Sequence, residues 1–186
     1  LMPKLIEMMT ELGSIVLELD IGNAPVTANH FLTLIENGLL QGCVFYRIVH
    51  DAGTGEPPSI DVVQGGLGWE STREIPLVLH ETTLSTGLRH CDGAVSLARS
   101  PGVGGGSEFF ICVADNQMLD ATEENDGPEG GFAVFGKIVE GMDLVREIHG
   151  QPADRDPPGG DERFIGQFLT DYVAAEVQVL TAKQSN

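Results

Sequence analysis

Ile15, Leu17 and Leu19 alternate with Val16, Glu18 and Asp20 near the start of the chain. That period of two predicts a strand. The apolar run from Leu5 to Thr10, followed by Glu11-Leu12-Gly13, predicts its hairpin partner. The period then changes. Ala28, Phe31 or Leu32, and Ile35 recur at helical spacing, behind a start at Asn23-Ala24-Pro25 with Pro25 in the first turn. Asn37-Gly38 ends this helix, Gly38 suiting the left-handed position after the cap. Short strand-like runs follow at 44–49, 60–64, 94–98, 109–113, 132–139 and 173–180, each bounded by Gly, Pro, Asn or Asp. A second helix is predicted over 141–148, with Met142, Val145 and Ile148 on its apolar face. Many short strands with two well-separated helices indicate an antiparallel barrel or sandwich. No βαβ repeat is visible.

Length and composition narrow the class. At 186 residues the chain suits one domain, 1–186. It is long enough to bury roughly 70% of its unfolded surface without a metal or disulfide. Hydrophobic residues at 41% favour a folded chain. Ten Lys and Arg against 28 Asp and Glu leave a net charge of −18. Such a charge argues against nucleic acid and anionic lipid as partners, since both need a basic face. Self-repulsion predicts a monomer. Cys43, Cys91 and Cys112 have no paired spacing and read as buried thiols in a reducing compartment. The five histidines show no HxxxH or HExxH pattern, so the sequence predicts no metal site. No run reaches the roughly 18 apolar residues of a membrane span. Leu1 to Thr10 is too short for a signal peptide, and the expected location is cytoplasmic, or periplasmic if a leader was removed.

Candidate chemistry is sparse. Arg47 interrupts an apolar strand, where a guanidinium is costly to bury unpaired. It is either a structural ion pair or a fixed cation aimed at a ligand. Val62 and Gln64 share one strand face. The Gly-rich stretch 102–106 leads into a strand with Glu108, not into a helix with Lys, which disfavours a phosphate cradle. No Gly-x-Ser-x-Gly elbow supports a hydrolase at Ser107.

Taken together, the chain from about Gly13 to Ile148 resembles the cyclophilin family of peptidyl-prolyl cis–trans isomerases, in a divergent bacterial-like form. The resemblance rests on residues 25–31 (PVTANHF), 44–47 (VFYR), 64–66 (QGG), 93–99 (GAVSLAR), 107–111 (SEFFI), 118–120 (MLD) and 134–142 (VFGKIVEGM), in that order. It implies a closed eight-stranded antiparallel β-barrel capped by two α-helices, with a core at about 13–148. The segment 149–186 is then expected to add a closing strand near 173–180.

It also implies a site. Arg47 matches the catalytic arginine, and Gln64 the glutamine that steadies substrate and arginine. Phe110 matches the aromatic floor of a proline pocket and Leu119 an apolar wall. Ala98 and Arg99 match the strand edge that meets the peptide backbone. Several positions depart from the pattern. Val62 stands where Met is usual, Asp61 where Phe is, Glu108 where Gln is, and Phe132 where His is. Met118 stands where some members have Trp. The resemblance therefore predicts a rebuilt pocket lined by Val62, Phe110, Leu119 and Phe132, with Met118 beside it and Ile60 as a helper. Asp61 and Glu108 are expected to neutralise Arg47 in part, and the insert Asp51 to Ser59 to shape the rim. The implied substrates are proline-containing peptides and unfolded proteins, and no cofactor or metal is implied. A proline-peptide binding module with little turnover is the competing reading. A hollow ligand-carrying barrel is disfavoured by Phe109, Ile111, Phe135 and Ile138.

Overall fold

The computed structural model describes residues 3–50, 60–100, 103–125 and 130–181; the predicted insert 51–59 lies outside them. Among the described residues nine strands form one antiparallel sheet in the order β8-β3-β4-β6-β5-β7-β2-β1-β9. They are β1 Lys4–Thr10, β2 Gly13–Leu19, β3 Val44–Val49, β4 Val62–Gly66, β5 Ala94–Leu97, β6 Phe109–Cys112, β7 Ala133–Glu140, β8 Phe168–Ala174 and β9 Glu176–Leu180. The helices are α1 Pro25–Glu36, α2 Thr83–Thr86 and α3 Met142–His149.

The difference between nine strands and the eight expected has a simple origin. Only Ala175 separates β8 from β9, and its N–H donates to Cys43 O at 2.9 Å. This last stretch pairs with β3 through β8 and with β1 through β9. One bent strand thus bridges the two free edges and nearly closes the barrel, which leaves little exposed edge.

α1 and α3 are the two helices read from periodicity. The third, α2, is a single turn whose Thr82 hydroxyl accepts from Ser85 N, too short to show any period. Pro25 opens α1, and its N-cap Ala24 makes no side-chain cap bond. Glu81 supplies that cap from afar, accepting from Val26 N at 3.2 Å and Thr27 N at 2.6 Å. A carboxylate there also meets the positive end of the helix dipole. Gly38 follows with φ 70°, as read from the sequence.

The barrel interior is solid. Phe31, Phe45, Phe109 and Phe135 are fully buried there with Ile15, Leu17, Val63, Val95 and Ile111. Phe31 meets Phe109 edge-on, centroids 5.5 Å apart. A second apolar cluster lies on the opposite face of the same strands: Val62, Ala94, Phe110, Cys112, Leu119 and Val134, with Phe132 and Ala98 against it. Strand alternation sorts the two sets: Val63, Phe109, Ile111 and Phe135 inward, Val62, Phe110, Cys112 and Val134 outward. Cys43 and Cys112 are buried, and burial pushes both thiols up to about 12. Cys91 is exposed, contrary to the expectation of three buried thiols.

Candidate active site

The outward apolar cluster floors a groove of about 760 Å³. A row of paired residues crosses it. Arg47 in β3 faces Gln64 in β4, Gln64 faces Phe110 in β6, Phe110 faces Ser96 in β5, and Ser96 faces Val134 in β7. Residues in register on one face of adjacent strands sit side by side. The cation, the amide and the aromatic ring therefore become neighbours through strand pairing, with one irregularity in β3.

A β-bulge delivers Arg47 to this face. The β3–β4 register skips Tyr46 between Phe45 and Arg47, and the β3–β8 register shifts at the same place. Phe45 and Ile48 both pack in the core, although residues three apart in a regular strand face opposite ways. The extra residue resets the phase, so Arg47 and Val49 line the groove.

Arg47 is held from several sides. Its Nε donates to Gln167 Oε1 at 2.9 Å and its Nη1 to Gln64 Oε1 at 2.8 Å. Its guanidinium carbon lies 5.3 Å from the Trp69 ring and 5.2 Å from the Phe164 ring, both within cation–π range. Burial draws its pKa below the ordinary arginine value, with Tyr46 acting the other way. Arginine nonetheless stays charged at any pH the fold tolerates.

The expected neutralisation of Arg47 does not occur through the contacts of the two carboxylates. Glu108 accepts from the Tyr46 hydroxyl at 2.9 Å, Gly68 N at 2.7 Å, Leu67 N at 3.2 Å and the Ser107 hydroxyl at 2.6 Å. It anchors the strand exit after β4. Gly66 is required there: its φ is 139°, and a Cβ would fall 2.6 Å from Glu108 Oε2. Beside this carboxylate and under heavy burial the Tyr46 hydroxyl is pushed far up, burial being the larger cause, and it stays a donor. Asp61 sits 3.6 Å from His149 Nε2 and is absent from the groove lining.

Of the residues implied by the resemblance, Arg47, Val62, Gln64, Ala98, Arg99, Glu108, Phe110, Leu119 and Phe132 line the groove, as does Ile60. Phe110 and Phe132 meet edge-on at 5.4 Å. Arg99 donates from Nε and Nη2 to Gly131 O, at 3.0 and 2.6 Å, and covers the Phe132 ring at 5.8 Å. β5 ends at Leu97, and Ala98 N donates to Glu108 O at 2.9 Å, extending the ladder by one bond. Met118 is placed differently. It is 44% exposed and does not line the groove, whereas its neighbour Leu119 turns inward.

Trp69, Phe164 and Gln167 were not foreseen. Trp69 is the sole tryptophan of the chain, which is the one available signal. Gln167 lies 120 residues beyond Arg47 in sequence.

Comparison with known proteins agrees with this geometry. The family described as cyclophilin type peptidyl-prolyl cis-trans isomerase/CLD matches residues 5–165. A peptidyl-prolyl cis-trans isomerase of Acinetobacter baylyi is 32% identical over 149 residues, covering 80% of this chain and 73% of its own. One from Streptomyces antibioticus is 33% identical over 147 residues, covering 78% and 82%. A cyclophilin crystal structure from Cryptosporidium parvum superposes with a TM-score of 0.69 at 16% identity, over 97% of this chain and 99% of that one. The same parasite protein studied in the presence of the dipeptide Ala-Pro gives 0.68. The chain belongs to the cyclophilin-type peptidyl-prolyl cis–trans isomerases, a family of enzymes that rotate the bond before proline.

Proposed function

We propose that Arg47 accelerates X–Pro rotation in peptides and unfolded proteins by stabilising the twisted amide. The observation that carries this reading is one arrangement. A charged guanidinium is fixed by Gln64 and Gln167 at the edge of an apolar floor made by Phe110.

A peptide bond resists rotation because the nitrogen lone pair is delocalised, with a barrier of roughly 18–20 kcal/mol. On twisting, the prolyl nitrogen becomes pyramidal and the lone pair localises on it. An N–H of Arg47 donates to that lone pair and favours the single-bond state. Rotation needs no covalent intermediate, only preferential binding of the twisted form. Val62, Phe110, Leu119 and Phe132 hold the proline ring. Gln64 and the Ala98–Arg99 edge steady the backbone on either side, while the preceding carbonyl swings. The donor's position is set before substrate arrives, so little reorganisation opposes the reaction. The Ala-Pro dipeptide studied with the parasite cyclophilin is a fragment of this substrate class.

The test is NMR exchange spectroscopy on a short Ala-Pro peptide. Native protein is expected to speed cis–trans exchange. Arg47→Ala is expected to lose about a hundredfold to a thousandfold, the usual cost of deleting one preorganised donor. Peptide binding with no faster exchange by the native protein would instead mark a recognition module.

A further inference from the structure

The far end of the β3–β4 pair carries a second cluster of chemistry that the isomerase reaction does not use. His50 directly follows β3, Asp61 directly precedes β4, and His149 is the last residue of α3. One ligand-capable atom from each lies within 4.8 Å of the other two. His149 Nε2 is 3.6 Å from Asp61 Oδ1. The two imidazole rings lie 3.9 Å apart, centroid to centroid. Among the described residues no other group of three potential ligands converges in this way.

We propose that His50, Asp61 and His149 form a binding site for a late first-row divalent transition-metal ion, with Zn2+ as the best-fitting member. Two imidazoles and one carboxylate make the donor set that such ions select. Calcium and magnesium are excluded by the same set, because they take oxygen ligands. Tetrahedral zinc with bonds of about 2.0–2.1 Å spaces its ligands about 3.3 Å apart. The His149–Asp61 pair is close to that spacing already. Side-chain rotation of the exposed His50 closes the remainder. The exposed ring also gives an entry path and leaves the fourth position to water.

The ring of His149 is oriented by Val49 O, 2.9 Å from its Nε2. The same nitrogen faces Asp61, so an ion bound there exchanges the Val49 hydrogen bond for a coordinate bond. The charge balance is favourable. The carboxylate and the net −18 of the chain both attract a dication.

Binding here has a structural consequence. Val49, Ile60 and Val62, the immediate chain neighbours of His50 and Asp61, line the groove. An ion held by both residues and by α3 ties the ends of β3 and β4 to that helix. It therefore clamps one wall of the peptide groove.

The test is calorimetric titration of the full chain with ZnCl2 in a non-coordinating buffer. One equivalent is expected to bind at micromolar concentration. His50→Ala and Asp61→Asn are each expected to weaken binding by more than about tenfold, since even orienting partners of metal ligands are worth 10–100-fold. Cys91→Ser and His80→Ala remove other candidate donors and are expected to leave affinity unchanged. Zinc should shift the imidazole NMR signals of His50 and His149 and no other histidine. Binding that survives both His50→Ala and Asp61→Asn would place the ion on the general acidic surface and overturn the proposal. So would the absence of binding by the native chain at micromolar zinc.

Discussion

Arg47, the proposed donor to the twisted amide, owes its position to its supports. Gln64 reaches it from the adjacent strand, so that contact follows from sheet pairing. Gln167 reaches it from 120 residues away and fixes Nε, while Trp69 and Phe164 limit the tilt of the guanidinium plane. A hydrogen bond to a charged group is worth about 1.5–3 kcal/mol. Gln167→Ala should therefore lower kcat by about tenfold or more, at 1.4 kcal/mol per decade. The KM is expected to change little, because Gln167 does not line the groove. Gln167→Glu, which keeps the acceptor, should recover part of the loss. A rise in KM at constant kcat would mean that Gln167 shapes the groove rather than the donor.

At the scale of elements, strand alternation and turn residues were legible and long-range connections were not. β3 was read at its observed bounds, and the inward Phe109 and outward Phe110 follow from period two. The bulge at Tyr46 was invisible, because a phase change needs the partner strands to reveal it. The same limit hid the Glu81 cap of α1 and the cluster of His50, Asp61 and His149, whose members are dispersed along the chain. His90 shows how such connections hold elements together. Its Nδ1 lies 2.7 Å from Asp120 Oδ1 and its Nε2 2.8 Å from the Ser96 hydroxyl, and its ring stacks under Phe110 at 5.8 Å. It thus joins the loop before β5, the strand itself and the turn that presents Leu119. Burial lowers its pKa and outweighs the opposing pull of Asp120, so the ring is neutral and the contact is a hydrogen bond. The sign for stability follows. A histidine whose folded pKa lies below its unfolded value of about 6.5 takes up its proton first in the unfolded chain. Its contribution is intact above that pH and is lost as pH falls towards the folded value. The urea midpoint should therefore drop between pH 7.5 and 5.5. The drop should be shallower in His90→Asn, with His149, also lowered mainly by burial, supplying a residue of the slope. Equal slopes in the two proteins would remove His90 from this role.

Across the whole molecule two fields of opposite sign act on an incoming peptide. The chain carries −18 overall. The groove is lined by Arg47, Arg73 and Arg99, three of only ten basic residues. Glu108, the acidic member among the described lining residues, is occupied by Tyr46, Ser107 and two backbone N–H groups. Net charge governs approach from a distance, and the arginines act only at contact. The two are separable by salt, since the Debye length falls from about 30 Å at 0.01 M to about 8 Å at 0.15 M. At low ionic strength, Ala-Pro peptides flanked by lysines should show higher kcat/KM than the same peptides flanked by glutamates. Raising NaCl to physiological strength should slow the first and speed the second, because steering by net charge is a rate effect that salt removes. The measurement is exchange kinetics on the two peptides across a salt series. A glutamate preference that is strongest at low salt would show that the three arginines, and not the −18 surface, control capture.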